Sequence, residues 1–222
     1  MKDNMKIAKI LAAAALTIAI SASASAQGVF TPSGNARYGR GHKSISDTYF
    51  STVHVSYDHF NESFDAASHG LNGFSFGISR AFLAGFSVPF YLELGLDGKL
   101  YGHTYDSYKS NFFALNVPVN ILYRIDLMGS GLSLIPYAGF DAMLNITGRA
   151  SEKNSNAYYN LLSKENPYAI AYRKGMFGAH LGFRVSLENL YVSFQYKTYL
   201  SKFEKLSESR LAETSFGLGI MF

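Results

Sequence analysis

Apolar residues recur at every second position in eight successive segments between Tyr49 and Phe222. Such alternation places one set of side chains on each face of a β-strand. Each segment has about the 9–11 residues that a tilted strand needs to cross the hydrocarbon of a bilayer. The pattern predicts eight strands, and their apolar faces consist of Val53, Val55, Tyr57; Phe74, Phe76, Ile78; Phe90, Leu92, Leu94, Leu96; Phe113, Leu115, Val117, Val119, Ile121, Tyr123; Leu134, Ala138, Phe140, Leu144, Ile146; Phe177, Leu181, Phe183, Val185; Leu190, Val192, Phe194, Tyr196; and Phe216, Leu218, Ile220, Phe222.

The opposite faces of these strands are mostly Gly, Ser, Asn and Tyr. A soluble barrel would turn such a face towards water and crowd it with Lys and Glu. Only 16% of all residues are Asp, Glu, Lys or Arg, against about 25% in ordinary soluble domains. Lipid satisfies no backbone hydrogen bond, so strands that cross a bilayer must close into a barrel. The sequence therefore predicts an all-β fold, an eight-stranded antiparallel transmembrane β-barrel with a polar lumen.

The few charges on the polar faces are expected to pair with one another inside the lumen. If the fifth and sixth strands are neighbours, Asp141 comes within contact distance of His180. A new charge at Leu94 or Val119 is expected to destabilise the barrel more than one at Gly95 or Asn120. Glu213 also lies on a polar face, and the predicted lumen network consists of Asp58, Glu93, Asp97, Lys99, Arg124, Asp141, His180, Arg184 and Lys197.

Short and long connections alternate along the predicted strands. The longest runs from about Thr147 to Lys174. Outer-membrane barrels have short periplasmic turns and long extracellular loops, and the alternation fits that arrangement.

Two further features mark the strands. Pro118 and Pro136 are expected to cause bulges or locally broken pairing, and Arg80, the one charge on the apolar faces, is expected to reach the membrane interface from a strand end.

The first 48 residues lack the alternating pattern. Residues 1–26 have a basic start, an apolar stretch and an Ala-Ser-Ala end, which is typical of a secretory signal peptide cleaved after Ala26. Residues 27–48 are predicted to be a periplasmic lead-in and residues 49–222 the barrel. The chain has no Cys and a formal net charge of +4, reduced to +2 without the signal peptide. Disulfides and nucleic-acid binding are therefore not expected.

Three stretches carry a resemblance to a known family: Leu115-Asn-Val-Pro-Val-Asn-Ile-Leu-Tyr-Arg124, Ile135-Pro-Tyr-Ala-Gly-Phe140 and Ser215-Phe-Gly-Leu-Gly-Ile-Met-Phe222. The chain resembles the single-domain outer-membrane β-barrel proteins of Gram-negative bacteria, the porin family, with an OmpA- and OmpX-like plan. The resemblance implies a monomer in contact with outer-membrane lipid and lipopolysaccharide. It also implies that the terminal Phe222 is the signal read by the barrel-assembly machinery.

Candidate catalytic chemistry is limited to His54 and Ser56, two residues apart on one face of the first strand. A lipid A deacylase of similar architecture uses a His-x-Ser pair, but this pair is predicted to face the lumen rather than the bilayer. The six His do not have metal-ligand spacing. We therefore expect no catalytic residues, no metal and no cofactor.

The predicted function is non-enzymatic: envelope integrity, or surface adhesion and binding through the extracellular loops. Aromatic and basic residues of the longest loop are suited to a glycan or protein ligand, and the candidate binding residues are Tyr158, Tyr159, Tyr168 and Tyr172. An eight-stranded lumen is filled by its own side chains. A small low-conductance channel is the alternative function, favoured if the strand count were ten, and a lipid-modifying hydrolase is the third.

Overall fold

The computed structural model describes residues 49–64, 67–84, 89–104, 108–127, 131–152, 158–163, 172–204 and 209–222. The predicted signal peptide and lead-in lie outside these residues. In the described residues, no helix is long and apolar enough to span a membrane. The strands are β1 (Tyr49–Phe64), β2 (Ala67–Leu83), β3 (Phe90–Thr104), β4 (Tyr108–Tyr123), β5 (Ile125–Leu127), β6 (Leu132–Glu152), β7 (Tyr158–Asn160), β8 (Gly175–Leu187), β9 (Leu190–Tyr199) and β10 (Arg210–Met221).

The strands form one closed antiparallel barrel. β1 pairs with both β2 and β10, and the pairing of β4 with β6 completes the ring. The short β5 continues β4 along β6, and β7 pairs with the far end of β6. The wall therefore has eight strands in the order β1, β2, β3, β4, β6, β8, β9, β10, which confirms the predicted fold class.

The two faces of the wall are those predicted from the alternation. Phe74, Phe140 and Leu218 are 66%, 66% and 62% exposed and point outward, as do the other predicted apolar positions. Neighbouring strands are in matching register, so that Val55 lies between Phe76 and Leu218. The outer surface consequently carries a continuous band of apolar side chains, called the belt below.

Both prolines interrupt the pairing without changing its register. The β3–β4 ladder passes from the Leu94–Val119 pair to the Asp97–Asn116 pair and omits the positions beside Pro118. Pro136 lies opposite the break between β4 and β5. These are the locally broken pairings expected of residues that lack a backbone N–H. The one change of register between β4 and β6 lies elsewhere, beside Phe113, where Ile146 is an extra residue in β6.

Arg80 lies on the outer face at one end of the barrel, but aromatic rings cover it. Its guanidinium carbon is 4.7 Å from the centre of the Tyr49 ring and 5.3 Å from that of Phe82. The side chain is only 7% exposed. Cation–π contacts with these two rings contribute to holding this charge beside the belt, where it is shielded from water.

The interior has two apolar layers with polar residues between them. The turn end is the barrel end that carries the tight β8–β9 turn at residues 188–189, and the loop end is the opposite one. The turn-end layer consists of Phe50, Ala81, Tyr91, Leu122, Ile135, Tyr137, Tyr191 and Met221. The loop-end layer consists of Phe60, Leu71, Tyr101, Phe112, Ala114, Met143, Ala150, Leu161, Leu162, Met176, Tyr199, Phe203 and Leu211, with Tyr159 and Tyr172 packed against it.

The connection expected between Thr147 and Lys174 is partly regular structure. β6 continues to Glu152, and β7 returns along it through the Arg149–Asn160 and Ser151–Tyr158 pairs. Leu161 and Leu162 follow directly and insert into the loop-end layer. The expectation of a loop starting at Thr147 was therefore wrong. The wall continues beyond this residue because these apolar side chains are buried over the opening at the loop end, called the mouth below.

Candidate functional site

Charged side chains from six strands meet in the middle of the lumen. Each lies on the inward face because it alternates with the belt residues of its own strand. All are buried, with exposures of 7% or less. This ionic layer consists of Asp58 on β1, Glu93, Asp97 and Lys99 on β3, Asp141 on β6, His180 and Arg184 on β8, Lys197 on β9 and Glu213 on β10.

Within the ionic layer, Glu93 and Arg184 form the ion pair nearest the turn end. Nη1 and Nη2 of Arg184 donate to Oε1 and Oε2 of Glu93, each at 2.8 Å. Nδ2 of Asn120 donates to Oε2 of Glu93 at 2.6 Å, and the Ser79 hydroxyl donates to Oε1. The Arg184 guanidinium also lies 5.0 Å from the ring centre of Tyr137. The carboxylate is thus fully hydrogen-bonded, as a buried charge requires.

Glu213 connects the two lysines of the ionic layer. Nζ of Lys99 lies 2.5 Å from Oε1 of Glu213 and 3.2 Å from Oδ2 of Asp58. Nζ of Lys197 lies 3.6 Å from Oε2 of Glu213 and 2.9 Å from Oδ1 of Asp141. The sequence placed Glu213 among the enclosed charges that were expected to pair, but it did not identify the partners of Glu213. Its register position directly opposite Lys197 is what makes it central.

Two histidines contact carboxylates of this layer. Nδ1 of His180 contacts Oδ2 of Asp141, the Asp–His contact expected from the strand order. Nε2 of His54, on β1, lies 3.4 Å from Oδ1 of Asp97. Asn116 links the two carboxylates, because its Nδ2 donates to Oδ2 of Asp97 and to Oδ1 of Asp141 at 2.9 Å each.

A cavity of about 50 Å³ remains inside the ionic layer. One water needs about 10–15 Å³ of such space, so the cavity accommodates only a few waters. It is lined by polar and charged side chains, among them His54, Ser56, Asp97 and Arg184. Apolar layers lie on both sides of this cavity.

Arg124 does not join the ionic layer, although the sequence placed it in the lumen network. Its Nε donates to Oδ1 of Asp126 at 2.8 Å, and Ser133 donates to the same oxygen at 2.6 Å. The hydrogen bonds from Ser133 and Arg124 lower the pKa of Asp126. Arg124 stands in the break between β4 and β5, at the turn end and away from the ionic layer.

Of the four predicted binding tyrosines, the structure describes the side chains of Tyr159 and Tyr172, and neither is fully exposed. Tyr172 is half-buried, with its ring centre 4.6 Å from that of Phe203 and 5.2 Å from that of Phe112. Tyr159 also packs against the loop-end layer. Tyr158 contributes its backbone to β7, while its side chain and all of Tyr168 lie outside the described residues. Tyr159 and Tyr172 therefore help to close the mouth instead of standing free as contacts.

Phe222 is 64% exposed and lies on the outer face. Its backbone N–H donates to the carbonyl of Ser51 at 3.0 Å, and its carbonyl accepts from the Ser51 N–H at 2.8 Å. The end of the chain thus closes the seam between the first and last strands. Its predicted role as an assembly signal stays a prediction.

His54 and Ser56 lack the geometry of a base and its nucleophile. The Ser56 hydroxyl donates to Oδ1 of Asp58 at 2.9 Å and lies 2.5 Å from the Ser75 hydroxyl. His54 faces Asp97 instead, and in the described residues no hydrogen bond joins it to Ser56. Nucleophilic catalysis needs the base within hydrogen-bond reach of the hydroxyl. No group of three or more potential metal ligands occurs among the described residues either.

A second candidate surface lies outside the barrel, between the belt and the loop end. Lys109 on β4, Arg149 on β6 and Lys174 just before β8 are all exposed. The Asn111–Arg149 and Lys109–Ser151 pairs place the first two side by side, and the carbonyl of Lys174 accepts from the Asn145 N–H. Among the described residues, no carboxylate forms an ion pair with any of the three. We call them the basic rim.

No family model and no curated relative matches this chain. Solved structures do match. Neisserial surface protein A is 17% identical, with a TM-score of 0.50 over 81% of this chain and 100% of that one. Ail, the attachment invasion locus protein of Yersinia pestis, is 13% identical, with a TM-score of 0.49 over 79% and 99%. The outer membrane enzyme PagL is 10% identical, with a TM-score of 0.39 over 74% and 98%.

The chain therefore has the fold of the eight-stranded outer-membrane β-barrels, of which Neisserial surface protein A is an example. This is the class that the alternating pattern and the three resembling stretches predicted. At such identities the similarity concerns the fold alone. It does not decide between a binding protein, a channel and an enzyme, so the function has to be argued from the residues of this chain.

Proposed function

We propose that this protein is a non-enzymatic barrel of the bacterial outer membrane that supports envelope integrity or surface adhesion through its loop end. The belt supports the location, because a continuous band of exposed Phe, Leu, Ile and Val on all sides is stable only in lipid. The filled lumen supports the proposed role of the loop end. Two apolar layers enclose a salt-bridged middle, which leaves the outer surface as the place of contact with other molecules.

The basic rim suggests the chemistry of that contact. Lys109, Arg149 and Lys174 lie just beyond the belt at the loop end, the end expected to face the cell exterior. Lysine and arginine at this height are complementary to phosphate or sulfate groups on saccharides. Such groups occur in the lipopolysaccharide of the outer leaflet and in external anionic glycans. The proposed ligand class is therefore an anionic saccharide.

Conductance of the refolded full-length barrel in a planar bilayer tests the sealed lumen. The shift in gel mobility between boiled and unboiled samples shows first that the barrel has formed. We expect no steady conductance from the folded protein. A steady conductance that changes in Glu93→Gln but not in Glu152→Gln, which removes an exposed carboxylate, would contradict the proposal and favour the small channel.

Binding to anionic saccharides tests the basic rim. The probes are vesicles with and without lipopolysaccharide, and soluble heparin as a sulfated glycan without lipid. We expect the triple variant Lys109→Ala, Arg149→Ala, Lys174→Ala to lose salt-sensitive binding to at least one probe, and Arg210→Ala to retain it. The probe affected identifies the source of the anionic group. Unchanged binding by the triple variant would overturn the role of the basic rim.

The hydrolase alternative depends on Ser56. Because its hydroxyl is engaged with Asp58 and Ser75 inside the lumen, we expect Ser56→Ala to leave the acylation of outer-membrane lipids unchanged in cells that express it. Loss of an acyl-chain modification in that variant would restore the enzymatic interpretation.

A further inference from the structure

A buried carboxylate at the loop end of the lumen has an oxygen without a partner. Glu62 lies on the inward face of β1, two residues beyond Phe60 of the loop-end layer, and is only 5% exposed. Its Oε1 is buried and accepts no hydrogen bond in the part of the chain that the structure describes. The carboxylates of the ionic layer, by contrast, all lie beside a lysine, an arginine or a histidine.

A second carboxylate, that of Glu204, is close to Glu62. Glu204 belongs to the connection between β9 and β10, and its N–H donates to Oγ of Ser209 at 3.0 Å. The Ser209 hydroxyl in turn donates to the Glu62 carboxylate. Ser209 is fully buried, two residues before Leu211, which is the residue opposite Glu62 in the β1–β10 ladder. Ser209 thus fixes the position of both acidic residues.

Two carboxylates so close to each other repel when both are charged. Burial and the Glu204 carboxylate raise the pKa of Glu62 from 4.5 to about 7, although the hydrogen bond from Ser209 acts in the opposite direction. Above neutral pH the Glu62 carboxylate is therefore charged and buried, which is unfavourable unless a cation compensates it. Glu204 is only half-buried, so an ion from the medium has access to the pair.

The oxygens of this pair favour a hard divalent cation. Ca²⁺ binds six to eight oxygens from carboxylates, carbonyls and water, and Mg²⁺ is usually held by one or two carboxylates with several waters. Groups of three or more His, Cys, Asp or Glu suited to a metal do not occur in the described ranges. The carboxylates of Glu62 and Glu204 would accordingly be the two acidic ligands, and water would supply most of the rest.

We propose that Glu62 and Glu204 form a binding site for a hard divalent cation, Ca²⁺ or Mg²⁺, at the mouth of the barrel. The cation neutralises the two carboxylates and joins the end of β1 to the connection that precedes β10. The same connection carries Phe203, whose side chain lies in the loop-end layer, so the bound cation holds the mouth closed. The site does not include the basic rim, and either can fail without the other.

Tb³⁺ luminescence detects the site on the refolded full-length barrel. Tb³⁺ is a luminescent substitute for hard divalent cations, and in a chain without Trp its emission is sensitised by nearby tyrosines. Tyr172 is suitably placed, because its backbone pairs with that of Glu204. At pH 8 in a zwitterionic detergent we expect saturable emission that Ca²⁺ or Mg²⁺ displaces, and the more effective ion identifies the ligand. With so few protein ligands, the expected Kd for Ca²⁺ is about 10⁻⁴–10⁻³ M.

Substitutions locate the binding. Glu62→Gln and Glu204→Gln each remove one acidic ligand and should weaken the displaceable binding of Tb³⁺ at least about tenfold. Glu152→Gln is the matched control, because Glu152 is an exposed carboxylate at the same end of the barrel, and it should bind like the wild type. The difference in gel mobility between boiled and unboiled samples shows that each variant has folded.

Limited proteolysis measures the effect on the mouth. At a cation concentration of ten times the Kd, cleavage of the 201–210 connection at pH 8 should be about tenfold slower than in EDTA, because the cation binds only the closed state. In Glu62→Gln the cation should not change the rate of cleavage.

The site is refuted by emission that neither Ca²⁺ nor Mg²⁺ displaces, or by equal affinity in the wild type and Glu62→Gln. An equal loss in Glu152→Gln would show a general attraction of cations to surface carboxylates and would refute it too. If Glu62→Gln does not fold, Glu204→Gln, which changes a less buried side chain, decides in its place. Binding without any slowing of cleavage would exclude the role in closing the mouth.

Discussion

Glu93 and Arg184 meet inside the barrel as a bidentate ion pair, in which Nη1 and Nη2 of Arg184 each lie 2.8 Å from one carboxylate oxygen of Glu93. The residues lie on β3 and β8, which are separated in the wall by β4 and β6. The pair therefore ties distant parts of the ring together. Because the pair is buried, its net contribution to stability can be small. A single buried charge without its partner is strongly unfavourable.

Removal of only one partner of this pair is expected to destabilise the folded barrel strongly. Arg184→Met leaves the Glu93 carboxylate buried without its cation, and the expected loss is about 3–5 kcal/mol of unfolding free energy. Glu93→Leu should cost a similar amount. The double variant should cost less than the sum of the two, because neither charge is then left alone. Urea unfolding of the refolded barrel measures all three, and additive losses would show that the pair is not coupled.

The belt predicts a strong dependence on depth for new charges. Val119 is 42% exposed on the part of β4 that faces outward between Phe113 and Tyr123, and Leu187 is 59% exposed at the turn end of β8. Val119→Arg should cost about 2–4 kcal/mol in a bilayer, and Leu187→Arg about 0–1 kcal/mol. Folding titrations in lipid vesicles compare the two variants. Equal costs would mean that the outer face does not lie in lipid as proposed.

The sequence predicted that a new charge at Gly95 or Asn120, which face inward, would be tolerated better than one on the outer face. The structure gives a reason to expect otherwise. Asn120 is 4% exposed and bonds to both Glu93 and His180. A Cβ at Gly95 would lie 2.9 Å from Cγ of Pro118. The packed lumen thus removes the reason for expecting either position to tolerate a charge well.

The wall could be predicted from sequence because each strand carries its own evidence. In β4, for example, Leu115 and Val119 lie on one face and Asn116 and Asn120 on the other, and the period of 2 assigns these faces without knowledge of the neighbours. The break at Pro118 was foreseeable for the same reason, since a missing N–H is a local property.

The closed mouth could not be predicted in this way. Leu161 and Phe203 belong to segments without periodicity, and their burial depends on faces presented by distant strands. The same holds for Glu213, whose two lysine partners are set by strand register. Arg124 was assigned to the lumen network by alternation alone, but at the end of β4 it pairs with the nearby Asp126 and not with the ionic layer.

Glu62 predicts a pH effect at the loop end. It lies five residues beyond Tyr57, outside the belt. Burial, with the nearby Glu204 carboxylate, raises its pKa from 4.5 to about 7, although a hydrogen bond from Ser209 acts in the opposite direction. Protonated Glu62 therefore stabilises the folded state. This contribution is complete below about pH 4.5 and is lost as the pH rises through about 7.

Limited proteolysis of the 201–210 connection measures this effect. We expect faster cleavage at pH 8 than at pH 6 in the wild type, and a flat response in Glu62→Gln, which keeps the uncharged shape at both pH values. Ser63→Ala, the neighbouring outward residue, serves as the control. A pH response that persists unchanged in Glu62→Gln would assign it to another group.

Phe112 links the wall of the barrel to two connections at the loop end. It is 2% exposed, stacks on Tyr101 with ring centres 5.0 Å apart, and contacts Tyr172 and Phe203 from two different connections. Phe112→Ala should cost about 3–5 kcal/mol, because the surrounding wall cannot collapse into the space left behind. It should also release the segment around Tyr172, seen as new protease cleavage there. Phe113→Ala removes a phenyl ring from the outer face and should not cause that cleavage. If both variants caused it, the loop-end layer would not be what holds the segment around Tyr172.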